Sequence, residues 1–231
     1  MGSSILRVGR AALSLLPIQV RVAKLVADEL DDTEFALAGG AALIAAGVVD
    51  RMTQDLDFFG TPKDSLSSCA TRVLRRLNAE GFEVLPIVEH DRFVRLEVSD
   101  DRERTEVDFG IDARLYHCEE GELGPALSLH EIAVDKILAV FGRTEPRDLS
   151  DLAALLDRFA LSQLLEAAAE KDPGFDHDVF VEMVGRFRKV DPDDIALTRS
   201  STIELLDRLS SLGRNGHDVA EREAEGPDLG L

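Results

Sequence analysis

The hydrophobic period of this chain changes once, just after Gly124-Pro125. Upstream, apolar and polar residues alternate in short runs, the period of half-buried strands. Phe35–Ala38, Leu56–Phe59, Phe82–Val88, Phe93–Val98 and Glu103–Ile111 read as strands on this pattern and on their β-branched content. Helices are expected over residues 14–31, over Ala41–Val48 after a Gly39-Gly40 turn, and from an Asp64 cap to Asn78, stopped by Gly81. From Ser128 onward only the 3.6-residue period is present, over about 128–141, 148–159, 161–170, 177–188 and 201–211. Two periods in succession predict an α/β (α+β) fold: a mixed sheet flanked by helices over residues 1–127, then a helical domain over 128–213.

Hydrophobic residues make up 45% of the 231, enough for a packed core. No apolar run reaches the roughly 18 residues needed to span a bilayer. Ala11–Val20, flanked by Arg7, Arg10 and Arg21, has a weak likeness to a signal peptide. Pro17 interrupts it, however, and its apolar positions continue through Val22, Leu25, Val26 and Leu30, as in an amphipathic helix. A cytoplasmic protein with no membrane contact is expected. Cys69 and Cys118 lack C-x-x-C spacing, and the five histidines lack metal-ligand spacing, so neither zinc nor a disulfide framework is suggested. The formal net charge of −19 works against nucleic-acid affinity, which comes mainly from Lys and Arg. That charge is uneven: the end of the chain holds Asp218, Glu221, Glu223, Glu225 and Asp228 against Arg222, and residues 214–231 are expected to form a disordered acidic tail.

Asp55 and Asp57 stand one residue apart on a strand. Side chains at i and i+2 share a face, so Leu56 and Phe58 turn to the core while both carboxylates turn out together. Adjacent anions repel unless a cation lies between them. Magnesium takes one or two carboxylates plus substrate phosphates, and this pair offers such a half-built site. A third ligand is expected from Asp108, which alternates with Val107 and Phe109; Glu106 shares its face and is a rival. Taken alone, D-x-D on a strand reads more readily as solvent-facing polarity.

The surroundings make it more specific. Phe35-Ala36-Leu37-Ala38-Gly39-Gly40, then fourteen residues, then Asp55-Leu56-Asp57-Phe58 resembles the nucleotidyltransferase superfamily signature. Arg51-x-Thr53-x-Asp55-x-Asp57 is similar to the AbiEii branch, which includes the MenT toxins of type IV toxin–antitoxin systems. A second block, Lys136-Ile137-Leu138-Ala139, Arg143, then Arg147-Asp148-Leu149-Ser150-Asp151-Leu152, resembles the K-x-x-A…R-D-x-x-D-L pattern of that branch. The resemblance covers about residues 35–158.

It implies a metal-dependent toxin that transfers a nucleoside monophosphate from an NTP, with a pyrimidine base, to the 3′ end of tRNA. That would block translation and growth until a cognate antitoxin relieves it. Two magnesium ions, or manganese, would be held by Asp55, Asp57 and Asp108. Gly39, Gly40, Arg51, Thr53, Lys136, Arg147, Asp148 and Asp151 would form the nucleotide site, in a cleft between the two domains. Each residue also has a plainer reading. Gly39-Gly40 is a tight turn. Lys136 falls on the stripe of Ile132, Ala133, Ile137 and Val140, where a lysine needs an anionic partner, and Asp148 or Asp151 would serve. Asp148 also suits a helix cap. Two basic groups, Arg72/Arg75/Arg76 and Arg186/Arg188/Lys189, read as solvated faces or as RNA contacts. A small-molecule adenylyltransferase and a non-catalytic nucleotide-binding module remain as alternatives.

Overall fold

The structure, a computed structural model, describes residues 14–195 and 197–224. The described residues divide into two compact units that meet in sequence at Ile132/Ala133. The first unit holds a seven-stranded mixed sheet in the order β3-β4-β5-β2-β1-β7-β6. Its strands are β1 (Ala36–Ala38), β2 (Asp55–Gly60), β3 (Glu83–His90), β4 (Phe93–Ser99), β5 (Arg104–Ile111), β6 (Glu119–Gly121) and β7 (Gly124–Ala126). β2 runs parallel to β5 and β1 parallel to β7, while the other neighbours are antiparallel.

The five expected strands are present. β6 and β7 carry too little apolar sequence to be read from alternation. One face of the sheet is apolar: Leu56, Phe58, Val94, Leu96, Val98, Val107 and Phe109 are buried. Phe58 stacks on Phe109 with centroids 5.7 Å apart, and Phe35 meets Phe109 edge-on at 6.0 Å. The helices α1 (Pro17–Glu29) and α3 (Leu66–Ala79) pack on the sheet. Leu66, Cys69, Ala70, Val73 and Leu77 line the buried side of α3 at helical spacing. Between β1 and β2 lies the short α2 (Gly39–Ala45), whose small residues let it bury Gly40–Ile44 against the sheet.

Asp64 does not cap α3. The N-cap residue is Ser65, and the Asp64 carboxylate instead accepts from the backbone N–H of Thr61 (2.8 Å) and Glu34 (3.1 Å). It therefore ties the end of β2 to the start of β1 rather than opening a helix.

α4 (Leu129–Gly142) begins in the first unit and continues into the second, where α5 (Pro146–Leu155), α6 (Leu161–Lys171), α7 (His177–Arg186) and α8 (Arg199–Ala224) follow. Leu149, Leu152, Leu155, Leu164, Phe180, Val184, Phe187 and Leu209 form the core of this second unit. α8 continues to Ala224, so the expected disordered tail is helical in its first part. Val219-Ala220-Glu221-Arg222-Glu223-Ala224 is rich in helix formers, and their propensity outweighs the charge density. Residues 225–231 of that tail, and residues 1–13 with the start of the signal-like run, lie outside the described residues. Among the described residues no helix is long and apolar enough to cross a membrane.

Candidate active site

Strand register builds the carboxylate cluster. In the parallel β2–β5 pair, Asp57 lies beside Asp108 and Asp55 beside Glu106. All four therefore share the face opposite Leu56, Phe58, Val107 and Phe109. Carboxylate oxygens of Asp55, Asp57 and Asp108 lie within 4.8 Å of one another. Two ligands of one magnesium ion stand at most about 4.2 Å apart, twice its usual bond length, so slight rotations bring these oxygens onto one cation or a neighbouring pair. Asp108 is buried, while Asp55 and Asp57 are half-buried with their open side toward solvent. This donor set of hard oxygens suits magnesium or manganese. Glu106 is outside the three-carboxylate group.

Gly39 is required by its backbone conformation and by closeness. Gly39 has φ +58°, and a Cβ there would overlap Asp57 Oδ2. At Gly40 a Cβ would come within 2.6 Å of Arg51 Nη2. Arg51 thus lies directly over the turn, with Nη1 donating to the Met52 carbonyl at 3.0 Å. Thr53 is buried, and its hydroxyl donates to Asp55 Oδ1 at 2.8 Å. Gly39, Gly40, Arg51, Thr53, Asp55, Asp57 and Asp108 therefore converge within the first unit.

Two further residues of this unit join the site without a sequence motif of their own. Arg95 on β4 pairs in register with Asp108. Its Nε and Nη2 donate to the two Asp108 oxygens at 2.7 and 2.6 Å, and its Nη1 lies 3.1 Å from Glu106. The hydrogen bonds donated to Asp108 push the guanidinium above its ordinary range against the opposing effect of burial, with the charges of Asp108, Glu106 and Asp55 adding to it. The alternation of β4 does put Arg95 on the polar face, but its partner follows only from the register. The other is Gln19 of α1, fully buried. Its Nε2 donates to the Thr53 carbonyl (3.0 Å) and Thr105 Oγ1 (3.3 Å), while its Oε1 accepts from Leu16 N–H (2.8 Å). A polar residue on the stripe of Ile18, Val22, Ala23 and Val26 was the signal available in the sequence.

In the second unit, Lys136, Asp148 and Asp151 form their own cluster. Lys136 Nζ lies 2.8 Å from Asp148 Oδ1 and 2.9 Å from Asp151 Oδ2, and all three side chains are buried. Arg143 Nε holds the other Asp148 oxygen at 2.7 Å. Two cations thus face two carboxylates, as burial demands. Desolvation pushes the Asp148 carboxyl up, but the Arg143 hydrogen bond and the Lys136 charge outweigh it, and the group lies below the ordinary value of 3.8. Asp148 is in the first turn of α5, whose N-cap residue is Glu145, so its side chain serves the ion cluster rather than the cap position. Arg147 is exposed on the same turn.

The two basic groups are mostly occupied by acids. Arg72 pairs with Glu29 (3.2 Å) and Asp32 (2.8 Å), Arg76 with Glu80 (3.0 Å), Arg186 with Glu182 (2.9 Å) and Arg188 with Asp207 (2.6 Å).

Among solved structures, the chain is similar in fold to JHP933 from Helicobacter pylori, with TM-score 0.52, 20% identity, and coverage of 94% of this chain and 96% of that one. It is also similar to MenT4, a nucleotidyltransferase toxin from Mycobacterium tuberculosis, with TM-score 0.56, 17% identity, and coverage of 89% and 84%. No curated protein sequence matches. The profile of the family described as nucleotidyl transferase AbiEii toxin, type IV TA system, matches residues 23–219, most of the sheet unit and of the helical unit. The chain belongs to the AbiEii nucleotidyltransferase toxin family.

Proposed function

We propose that this protein is a metal-dependent toxin that transfers a nucleoside monophosphate from an NTP, preferably a pyrimidine nucleotide, to the 3′ end of tRNA. The observation that carries the metal-dependent part is the convergence of Asp55, Asp57 and Asp108 on one polar sheet face beside the Gly39-Gly40 turn. In the reaction, the acceptor 3′-hydroxyl oxygen attacks the α-phosphorus, the bond to the β-phosphate breaks, and pyrophosphate leaves. Asp55, Asp57 and Asp108 would hold two magnesium or manganese ions, which when bound neutralise the triphosphate and acidify the attacking hydroxyl. Asp108 would also take the hydroxyl proton. The Gly39 and Gly40 amides and Arg51 would receive phosphate oxygens, with Thr53 fixing Asp55. Lys136 and Arg147 are proposed as further phosphate contacts, with Asp148 and Asp151 holding the lysine in one rotamer. There is little covalent work for the protein; positioning and electrostatics carry the rate. Blocking tRNA ends would arrest translation in the cytoplasm, and a cognate antitoxin would relieve the arrest.

Pairing of the basic groups with acids favours a second reading, a small-molecule acceptor. The test is induced expression of wild type and Asp55→Ala, followed by sequencing of tRNA 3′ ends, with purified protein given labelled NTPs and either tRNA or aminoglycosides. Added nucleotides on tRNA with wild type only are expected. Label on aminoglycosides but never on RNA would replace the tRNA reading. No turnover on any acceptor, with growth arrest intact in Asp55→Ala, would refute the enzymatic reading.

A further inference from the structure

Asp55, Asp57, Glu106 and Asp108 occupy one face of two adjacent strands, and Glu97 stands opposite Glu106 on the next. Arg95 enters this group from β4. Its Nε and Nη2 donate to Asp108, and its Nη1 forms an ion pair with Glu106 at 3.1 Å. Fork-to-carboxylate pairing of this kind is the strong, oriented form of an Arg–Asp contact. Both Asp108 oxygens accept from it through one lone pair each, so a cation shared with Asp55 and Asp57 would bind through a remaining lone pair, beside a positive charge. The guanidinium and a metal ion therefore oppose each other electrostatically at Asp108. Arg95 is not locked in by burial: its side chain is 32% exposed against 7% for Asp108. It also has an alternative neighbour, the Phe93 ring, whose centroid is 5.7 Å from Cζ.

We propose that Arg95 is a resident counter-cation of the carboxylate site, holding Asp108 and Glu106 until a divalent cation takes over Asp108, and so setting the metal concentration at which the site assembles. This rests on the metal-dependent reading above. A compact ion with two charges outcompetes one delocalised charge for clustered carboxylates, but only above a threshold that Arg95 raises. Arg95 is thus a positioning residue, acting through Asp108.

The test is titration of Mn2+ into metal-free full-length protein, followed by calorimetry and by the paramagnetic signal of free Mn2+. Wild type, Arg95→Gln, Arg95→Lys and Asp55→Ala are compared. Arg95→Gln is expected to bind Mn2+ at least tenfold more tightly than wild type. Arg95→Lys, which keeps the charge but loses the fork, is expected to fall between them and carries the test if Arg95→Gln does not fold. In chelator the melting temperature of Arg95→Gln should drop, and Mn2+ should raise it by more than it raises wild type. Unchanged or weaker Mn2+ binding in the folded Arg95 variants overturns the proposal while leaving the metal site in place. If neither wild type nor Arg95→Gln binds Mn2+, or Asp55→Ala binds it as well as wild type, the metal reading itself falls and this proposal with it.

Discussion

Gly39 is the position where one methyl group decides most. Its φ of +58° lies in the left-handed region, and the space its Cβ would need is occupied by Asp57 Oδ2. Alanine there costs about 1–2 kcal/mol of backbone strain and also displaces a proposed metal ligand. Gly39→Ala is expected to lower NTP turnover at least a hundredfold while leaving a folded protein, as checked by circular dichroism and initial rates. Wild-type turnover would show that Asp57 need not stand where it does. At this scale the sequence was informative about residue type and poor about partners. Asp55 and Asp57 could be paired by strand period alone. Asp108 leads Glu106 in the sequence only by pattern and resemblance; the parallel register sets Asp108 beside Asp57 and Glu106 beside Asp55, and Asp108 is the one that joins the three-carboxylate group. Arg95 was one more arginine until that same register put it on Asp108.

Elements were legible where their pattern was strong. β2, β4 and β5 alternate cleanly because one of their faces is the core, and α3 shows its stripe for the same reason. β6 (Glu-Glu-Gly) and β7 (Gly-Pro-Ala) were invisible, since three-residue strands held by backbone pairing need no apolar code. What α1 does for the site was also hidden. Gln19 reaches from the helix to the carbonyl of Thr53, whose hydroxyl in turn holds Asp55. The helix thereby fixes the loop before β2. Gln19→Leu would leave the buried Thr53 carbonyl without this donor, a loss of about 1–3 kcal/mol, measurable by urea unfolding. At temperatures where the variant is folded, kcat/KM for NTP is expected to fall at least tenfold. Full activity in a destabilised Gln19→Leu would mean the loop holds its geometry without the helix.

At the scale of the whole molecule, charge is the constraint. A net charge of −19 repels a polyanion, and the two basic groups that the sequence offered as RNA contacts are largely neutralised locally: Arg72 by Glu29 and Asp32, Arg76 by Glu80, Arg186 by Glu182, Arg188 by Asp207. Exposed pairs of this kind contribute little to stability, but a phosphate must compete with the resident carboxylate for each arginine. If tRNA is the acceptor, it must then be held through few phosphates, with recognition concentrated at its terminal nucleotides. The consequence is quantitative. Each phosphate contact contributes about −0.7 to −0.9 to the slope of log K against log salt. For this protein the slope measured with tRNA between about 50 and 300 mM salt is expected to be shallower than about −3, corresponding to about three or four contacts. A short RNA carrying only the acceptor end should then be modified nearly as well as intact tRNA. A slope steeper than about −5 would require a basic surface formed by rearranged ion pairs. In that event Arg72→Gln and Arg188→Gln should each flatten it by about one unit, and a slope that neither changes would rule out both basic groups as the RNA surface.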